Sequence, residues 1–238
     1  MRIDLPDKRI VVYIPEIISI DPTQGLTDSS HGDMWARCRA AGIRFMLFWP
    51  DEWRCAREIC QSIVDSKSAT SSIFARKCEL VELPVPLARR FLELEHLQGS
   101  CQFDRAWGLE HEGAIVQVAT LGGHHRSGEG YVMSRVATKR NVRVVGGLSR
   151  LLAQFPRPLV TWSDNRISWG EGYKKLGFVQ DGILRPDYQY WRAGCRYSKP
   201  SLRKAAEERV GALTERELRL AEGYTRIWDC GKIRWKLD

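Results

Sequence analysis

Between Arg140 and Leu152 the chain reads RNVRVVGGLSRLL. A β-branched run, the adjacent glycines Gly146 and Gly147 and an apolar helix-like tail make a strand-to-helix turn. Backbone N–H groups at such a turn point at a phosphate, and the helix dipole assists. The same glycines also allow close strand–helix packing with no ligand at all. Arg143 and Val145 lead into the turn and would flank any phosphate held there. Lys139 and Arg140 precede it, and Arg196, Lys199, Arg203 and Lys204 form a second basic cluster suited to backbone phosphates. His96, in ELEHLQG, ends a helical stretch and reads equally as a base, a nucleic-acid contact or a C-terminal cap. His124, His125 and Arg126 follow two glycines in a loop that either touches a phosphate or is a solvated turn. Trp162, Trp169, Tyr188, Tyr190 and Trp191 could stack on an extruded base, or alternate into a sheet face.

Charge sharpens the choice of partner. The net charge is +8 and the isoelectric point about 9.2. Met1–Cys78 is almost balanced, with 11 Lys and Arg against 10 Asp and Glu, and the remainder carries 26 against 19. No acidic residue occurs between Gly130 and Ser163, a stretch that holds six Lys and Arg. Clustering of this kind suits DNA or another polyanion, or else an ordinary solvated basic surface. The seven cysteines include no C-x-x-C pair, which argues against structural zinc and for reduced thiols in the cytoplasm. No apolar run nears the roughly 20 residues that cross a bilayer, and MRIDLPDKRI lacks the apolar core of a secretory leader. A cytoplasmic protein with no membrane partner is expected.

These residues need a framework. RIVVYIP and IRFMLFW read as strands flanking a helix that Gly42 closes. A helix from Asp51, its N-cap, runs through Trp53, Cys60 and Val64. SKSATSS (66–72) is a polar linker. KCELVELP is a strand, PLARRFLELEHL a helix with Pro86 in its first turn, and two strands turn at Glu112-Gly113. GYVMSRVAT, the Gly turn, the helix LSRLLAQF and the strand PLVTWSD follow. The next helix starts at a Ser168–Glu171 capping box and stops at Gly177. The tail offers the helices SLRKAAEERVG and TERELRLAEG, the latter capped by Thr214 and Glu217, then a hairpin turning at Cys230-Gly231. The fold class is α/β (α+β), a mixed sheet flanked by helices.

RVVGGLSRLL followed by YKKLGF (Tyr173–Phe178) resembles the GNAT acyltransferase superfamily over roughly residues 79–191. The resemblance implies an acyl-CoA cofactor at Arg143, Val145, Gly146 and Gly147, with Tyr173 protonating the leaving thiolate. It also implies a cleft where the sheet splays, faced by Arg135, Asp164 and Tyr173. With His96, these make the catalytic set, Asp164 or His96 acting as base. A buried Arg135–Asp164 ion pair is the structural alternative. Leu148 stands where the family has a small residue.

Most of the chain after Ile73 is similar to phage-encoded Hef-like homing endonucleases, which join a Vsr-like nuclease to a GNAT-like domain. The carrying segments include IFARKCEL, FLELEHLQG, SRVATKRNVRVVGG, RYSKPSLRK and GYTRIWDCG. Mom-type DNA-modification proteins share a more distant likeness. VVYIPE and AAGIRFMLFWPDEW resemble pieces of the PD-(D/E)XK nuclease fold, which would use Mg²⁺ held by carboxylates. Val11 or Val12 occupies the first carboxylate's place and Pro22 interrupts the second, leaving Asp21, His31 and Asp33 as possible ligands. The expected organisation is a reduced nuclease segment at 1–72, a GNAT-like domain at 73–192 and a basic extension with the hairpin at 193–238. The expected function is group transfer to a DNA base or amine. The alternatives are Mg²⁺-dependent cleavage and a DNA-binding module without activity.

Overall fold

The computed structural model describes residues 1–17, 30–65, 71–123 and 130–238. They form two compact units, each discontinuous in sequence. One takes Met1–Cys55, Asp164–Ser168 and Ile183–Lys232, and the other takes Ala56–Ser163, Trp169–Gly182 and Ile233–Asp238. Asp21, His124, His125 and Arg126 lie outside the described residues, as does most of the polar 66–72 stretch.

In the first unit β1 (Arg2–Leu5) runs antiparallel to β2 (Ile10–Tyr13), and β2 runs parallel to β3 (Arg44–Leu47). Parallel neighbours need a crossover, and α1 (Ser30–Ala40) lies on it. Gly42, at φ +65, ends that helix as expected. β3 is apolar on both faces, and Phe45, Met46 and Leu47 are fully buried. The helix expected from Asp51 to Val64 is broken at Ala56 into α2 (Pro50–Cys55) and α3 (Arg57–Val64). Pro50 opens α2, so Asp51 lies in the first turn and is not its cap.

The second unit holds β4 (Ser71–Phe74), β5 (Glu79–Glu82), α4 (Val85–Glu95), β6 (Arg105–His111), β7 (Ala114–Gly123), β8 (Tyr131–Thr138) and β9 (Val142–Val145). After the Gly turn come α5 (Gly147–Leu152), β10 (Leu159–Asp164), α6 (Glu171–Lys175) and β11 (Val179–Leu184). The β6–β7 turn has Glu112 and Gly113 both at positive φ, the form that suits a tight hairpin. The apolar face of α4 packs Ala88 and Leu92 against Leu83, Phe103, Ala106, Val118 and Ala137. α6 begins at Glu171, with Gly170 and not Ser168 at its N-cap position. Gly170, at φ +74, precedes the helix, and a Cβ there would run into the Trp235 indole.

The chain then builds an antiparallel sheet of order β13-β12-β14 from β12 (Tyr188–Arg192), β13 (Cys195–Tyr197) and β14 (Thr225–Trp228). α7 (Glu215–Ala221) has the expected Thr214–Glu217 capping box. SLRKAAEERVG is not one helix. It forms two 3₁₀ turns, because Arg219 takes the Leu202 and Arg203 carbonyls that a helix would need. The terminal hairpin is likewise absent. β14 pairs with β12, while β15 (Lys232–Leu237) enters a seven-stranded sheet of order β11-β15-β10-β8-β7-β6-β5. Ile233 and Trp235 drive this insertion. Both are buried, and the Trp235 indole N–H donates to Ser163 Oγ at 2.9 Å. No helix among the described residues is long and apolar enough to cross a membrane.

Candidate functional site

The sheet of the second unit changes character at β8 and β10. These strands are parallel and in register only at Leu159↔Tyr131 and Val160↔Val132. One residue later the Thr161 hydroxyl donates to the Met133 carbonyl at 2.9 Å, a side-chain bond in place of the ladder. Tyr173 comes to this place from α6. Its ring packs on Phe178 and Trp235, with centroids 5.4 and 6.2 Å away, and its hydroxyl bonds to Thr161. Burial pushes the Tyr173 hydroxyl above its ordinary range, with the Thr161 bond opposing. Tyr173 is thus both a packed aromatic and a phenol that keeps its proton.

Arg135 lies two residues beyond Met133 on β8. Its Nε donates to the Gly99 carbonyl at 3.3 Å and its Nη1 to the Ser134 carbonyl at 3.0 Å. Gly99 closes a turn on the His96 carbonyl, and His96 Nδ1 accepts the Gln98 amide at 3.1 Å. Arg135 and His96 are therefore gathered at the turn that ends α4, where His96 is the C-cap.

Asp164 belongs elsewhere. It ends β10 as part of the first unit, and its carboxylate pairs with Arg166 at 3.0 Å. Arg166, only 3% exposed, also binds Glu52 at 3.0 Å, and Glu52 in turn accepts Arg196 at 2.7 Å. Arg196 closes the cluster on Asp51 at 2.7 Å. The carboxylates hold the Arg166 pKa above its ordinary value despite burial. Three carboxylates and two guanidiniums thus tie α2, the 164–166 segment and β13 together. The expected Arg135–Asp164 pair gives way to these separate partners.

The Gly turn divides into two halves. Gly146 is exposed, at φ +76, and a Cβ there would meet nothing closer than Ala75 at 3.9 Å. Gly147 is buried, and a Cβ there would collide with the Gln117 side chain. Gly147 therefore serves packing, while Gly146 leaves open space. Val145 is 36% exposed and Arg143 is exposed, and neither Arg143 nor Lys139 makes a side-chain hydrogen bond or ion pair among the described residues. Arg140 is committed: it binds Glu95 at 3.1 Å and Glu58 at 2.6 Å.

In the tail, Lys199 pairs with Asp187 at 3.1 Å and lies 4.3 Å from the Tyr188 ring centre. Lys204 Nζ donates to the Leu213 carbonyl at 2.7 Å. Arg203 alone of this cluster has an exposed side chain with no partner among the described residues. Trp191 and Tyr190 are buried in the fold, so they fill sheet faces. His31 is buried too. Its Nδ1 lies 2.7 Å from the Trp228 carbonyl and its Nε2 has no partner, while Asp33 is exposed. Burial lowers the His31 pKa, against the Trp228 bond. No three His, Cys, Asp or Glu side chains among the described residues group as metal ligands.

Two features escaped sequence reasoning: the Glu52–Arg166 pair and the Gln117 contact with Gly147. Both join residues far apart in the chain and carry no local signal. No protein-family model matches the chain, and no curated protein matches it in sequence.

Proposed function

We propose that the second unit transfers an acyl-type group to an amine of DNA. The observation that carries this reading is the parallel β8–β10 pair, which parts after Val160/Val132 and receives Tyr173 at the point of parting. A parting of two parallel strands supports the cleft that the GNAT resemblance implies.

Acyl-coenzyme A fits this chain at two places. The open backbone at Val145–Gly146 would hold its diphosphate through N–H donors. The six-residue α5 adds little dipole, and Gly147 is occupied by Gln117, so this cradle is a single turn. When bound, the cofactor supplies an activated acyl carbon and a thiolate that must take up a proton. Tyr173 holds a proton for that purpose, and Thr161 fixes its hydroxyl. Arg135 and His96, gathered at the turn that ends α4, offer a cation and an imidazole. Asp164 has no part in this, being neutralised by Arg166.

Thermal unfolding with and without acetyl-coenzyme A tests the reading. Occupancy at about 100 times Kd stabilises a protein by about 2.7 kcal/mol, a shift of several degrees. Tyr173→Phe keeps this shift and lowers turnover about 100-fold or more, the scale of general-acid catalysis. No shift at saturating cofactor would defeat the proposal.

A further inference from the structure

The second unit also carries a two-stranded surface that runs up to the Val145–Gly146 turn. β4 and β9 form a two-stranded parallel ribbon with the register Ser72↔Arg143, Ile73↔Val144 and Phe74↔Val145. Paired residues in a sheet share a face, and alternate residues point to opposite faces. Ile73, Val142 and Val144 make the half-buried face, while Ser72, Phe74, Arg143 and Val145 make the exposed one. Phe74 is 45% exposed, unusual for its type on a short strand. The Arg76 guanidinium lies over its ring, 4.9 Å from the centre. Arg76 and Arg143 are exposed, and neither side chain makes a hydrogen bond or ion pair among the described residues.

An aromatic face beside unneutralised guanidiniums has a specific complement. A duplex hides its base faces in the stack and offers only phosphate. An unpaired strand offers both, a base to lie on the ring and phosphates for the cations. The charge of the sequence agrees: no Asp or Glu occurs between Ser66 and Cys78 or between Gly130 and Ser163, the stretches that contain β4 and β9. An acidic peptide would satisfy the arginines and leave Phe74 in water.

We propose that the exposed face of the β4–β9 ribbon binds single-stranded DNA, with one base stacked on Phe74 and adjacent phosphates on Arg76 and Arg143. This rests on the reading of DNA as the acceptor, and it adds that the acceptor is presented unpaired. Amines of bases that lie hidden in a duplex become reachable on such a strand.

The test is fluorescence anisotropy of the full chain with a labelled oligothymidine and with a labelled duplex, at several salt concentrations. Wild type binds the single strand more tightly than the duplex. Phe74→Leu keeps apolar bulk and weakens single-strand binding about tenfold with the salt slope unchanged, while Phe74→Trp restores it. Arg76→Gln and Arg143→Gln together lower the slope of log affinity against log salt by about 0.7 for each cation removed. All three positions are exposed, and an unchanged melting temperature confirms that the variants fold. Equal binding by wild type and Phe74→Leu, a preference for duplex, or no DNA binding overturns the proposal. Tyr173→Phe leaves the anisotropy unchanged, so a dead cleft and a dead ribbon give different results. Lost binding with a retained acetyl-coenzyme A shift removes the ribbon alone, and the reverse removes the cleft alone.

Discussion

One group of arginines in each unit is used in opposite ways, although Arg140 in the second unit is paired with Glu95 and Glu58 as those of the first unit are paired. In the first, Arg166, Arg196 and Arg219 sit against carboxylates at 2.7 to 3.0 Å and are largely withdrawn from water. In the second, Arg76 and Arg143 are exposed and have no ion pair among the described residues, and the Arg135 guanidinium donates to the Gly99 and Ser134 carbonyls. Buried guanidiniums hold segments together because leaving one without its partner is costly. Exposed, uncompensated ones raise the local potential and await an anion. A net charge of +8 therefore says little by itself; what matters is which cations the fold has already neutralised.

The sharpest way to break this contrast is to remove Glu52. Glu52→Ala removes one carboxylate partner each from Arg166 and Arg196, leaving Asp164 and Asp51, and is expected to cost about 3–5 kcal/mol in urea unfolding. A loss below about 1 kcal/mol would show that the cluster is not what holds those segments. Trp235→Ala should come next, at about 3–5 kcal/mol for the lost core volume, partly offset where α6 settles onto the gap. That variant should also damage the cleft, since Trp235 packs on Tyr173.

The next test uses pH. Burial depresses the His31 pKa in the folded state below the 6.5 of the unfolded chain. The unfolded state therefore binds the extra proton first. The stability is fully present above pH 6.5 and is lost as pH falls through the folded pKa. Unfolding free energy measured from pH 7.5 to 5 should decline for wild type, and the decline should be shallower in His31→Gln. The smallest expected effect is at the α7 cap. Thr214→Ala removes a reciprocal capping pair, for about 1 kcal/mol, with no change in DNA affinity.

Legibility from sequence followed the range of the forces involved. Periodicity and turn chemistry are local, so β2, β3, α4, β6, β7, β8 and the Thr214 cap were readable. The terminal strand was not. GYTRIWDCGKIRWKL looks like a hairpin because its two halves are adjacent, but Trp235 finds a better partner in Ser163, 72 residues earlier. The helix expected at SLRKAAEERVG failed for the same reason, since Arg219 claims its carbonyls from outside the segment. At the site, the residue types were readable and their allegiances were not. Tyr173 lies at the parting of β8 and β10, whereas Asp164 and Arg196 are tied to carboxylate–arginine pairs that only the folded chain creates.

Group transfer by the second unit onto DNA is open to direct measurement. The decisive measurement is label transfer from radiolabelled acetyl-coenzyme A to single-stranded DNA, with the nucleosides then digested and weighed by mass spectrometry. Wild type should add the mass of one acyl group to a base, and Tyr173→Phe should do so about 100 times more slowly while binding the strand equally well. Unmodified nucleosides after exhaustive incubation, with protein that is folded and saturated with both ligands, would contradict it.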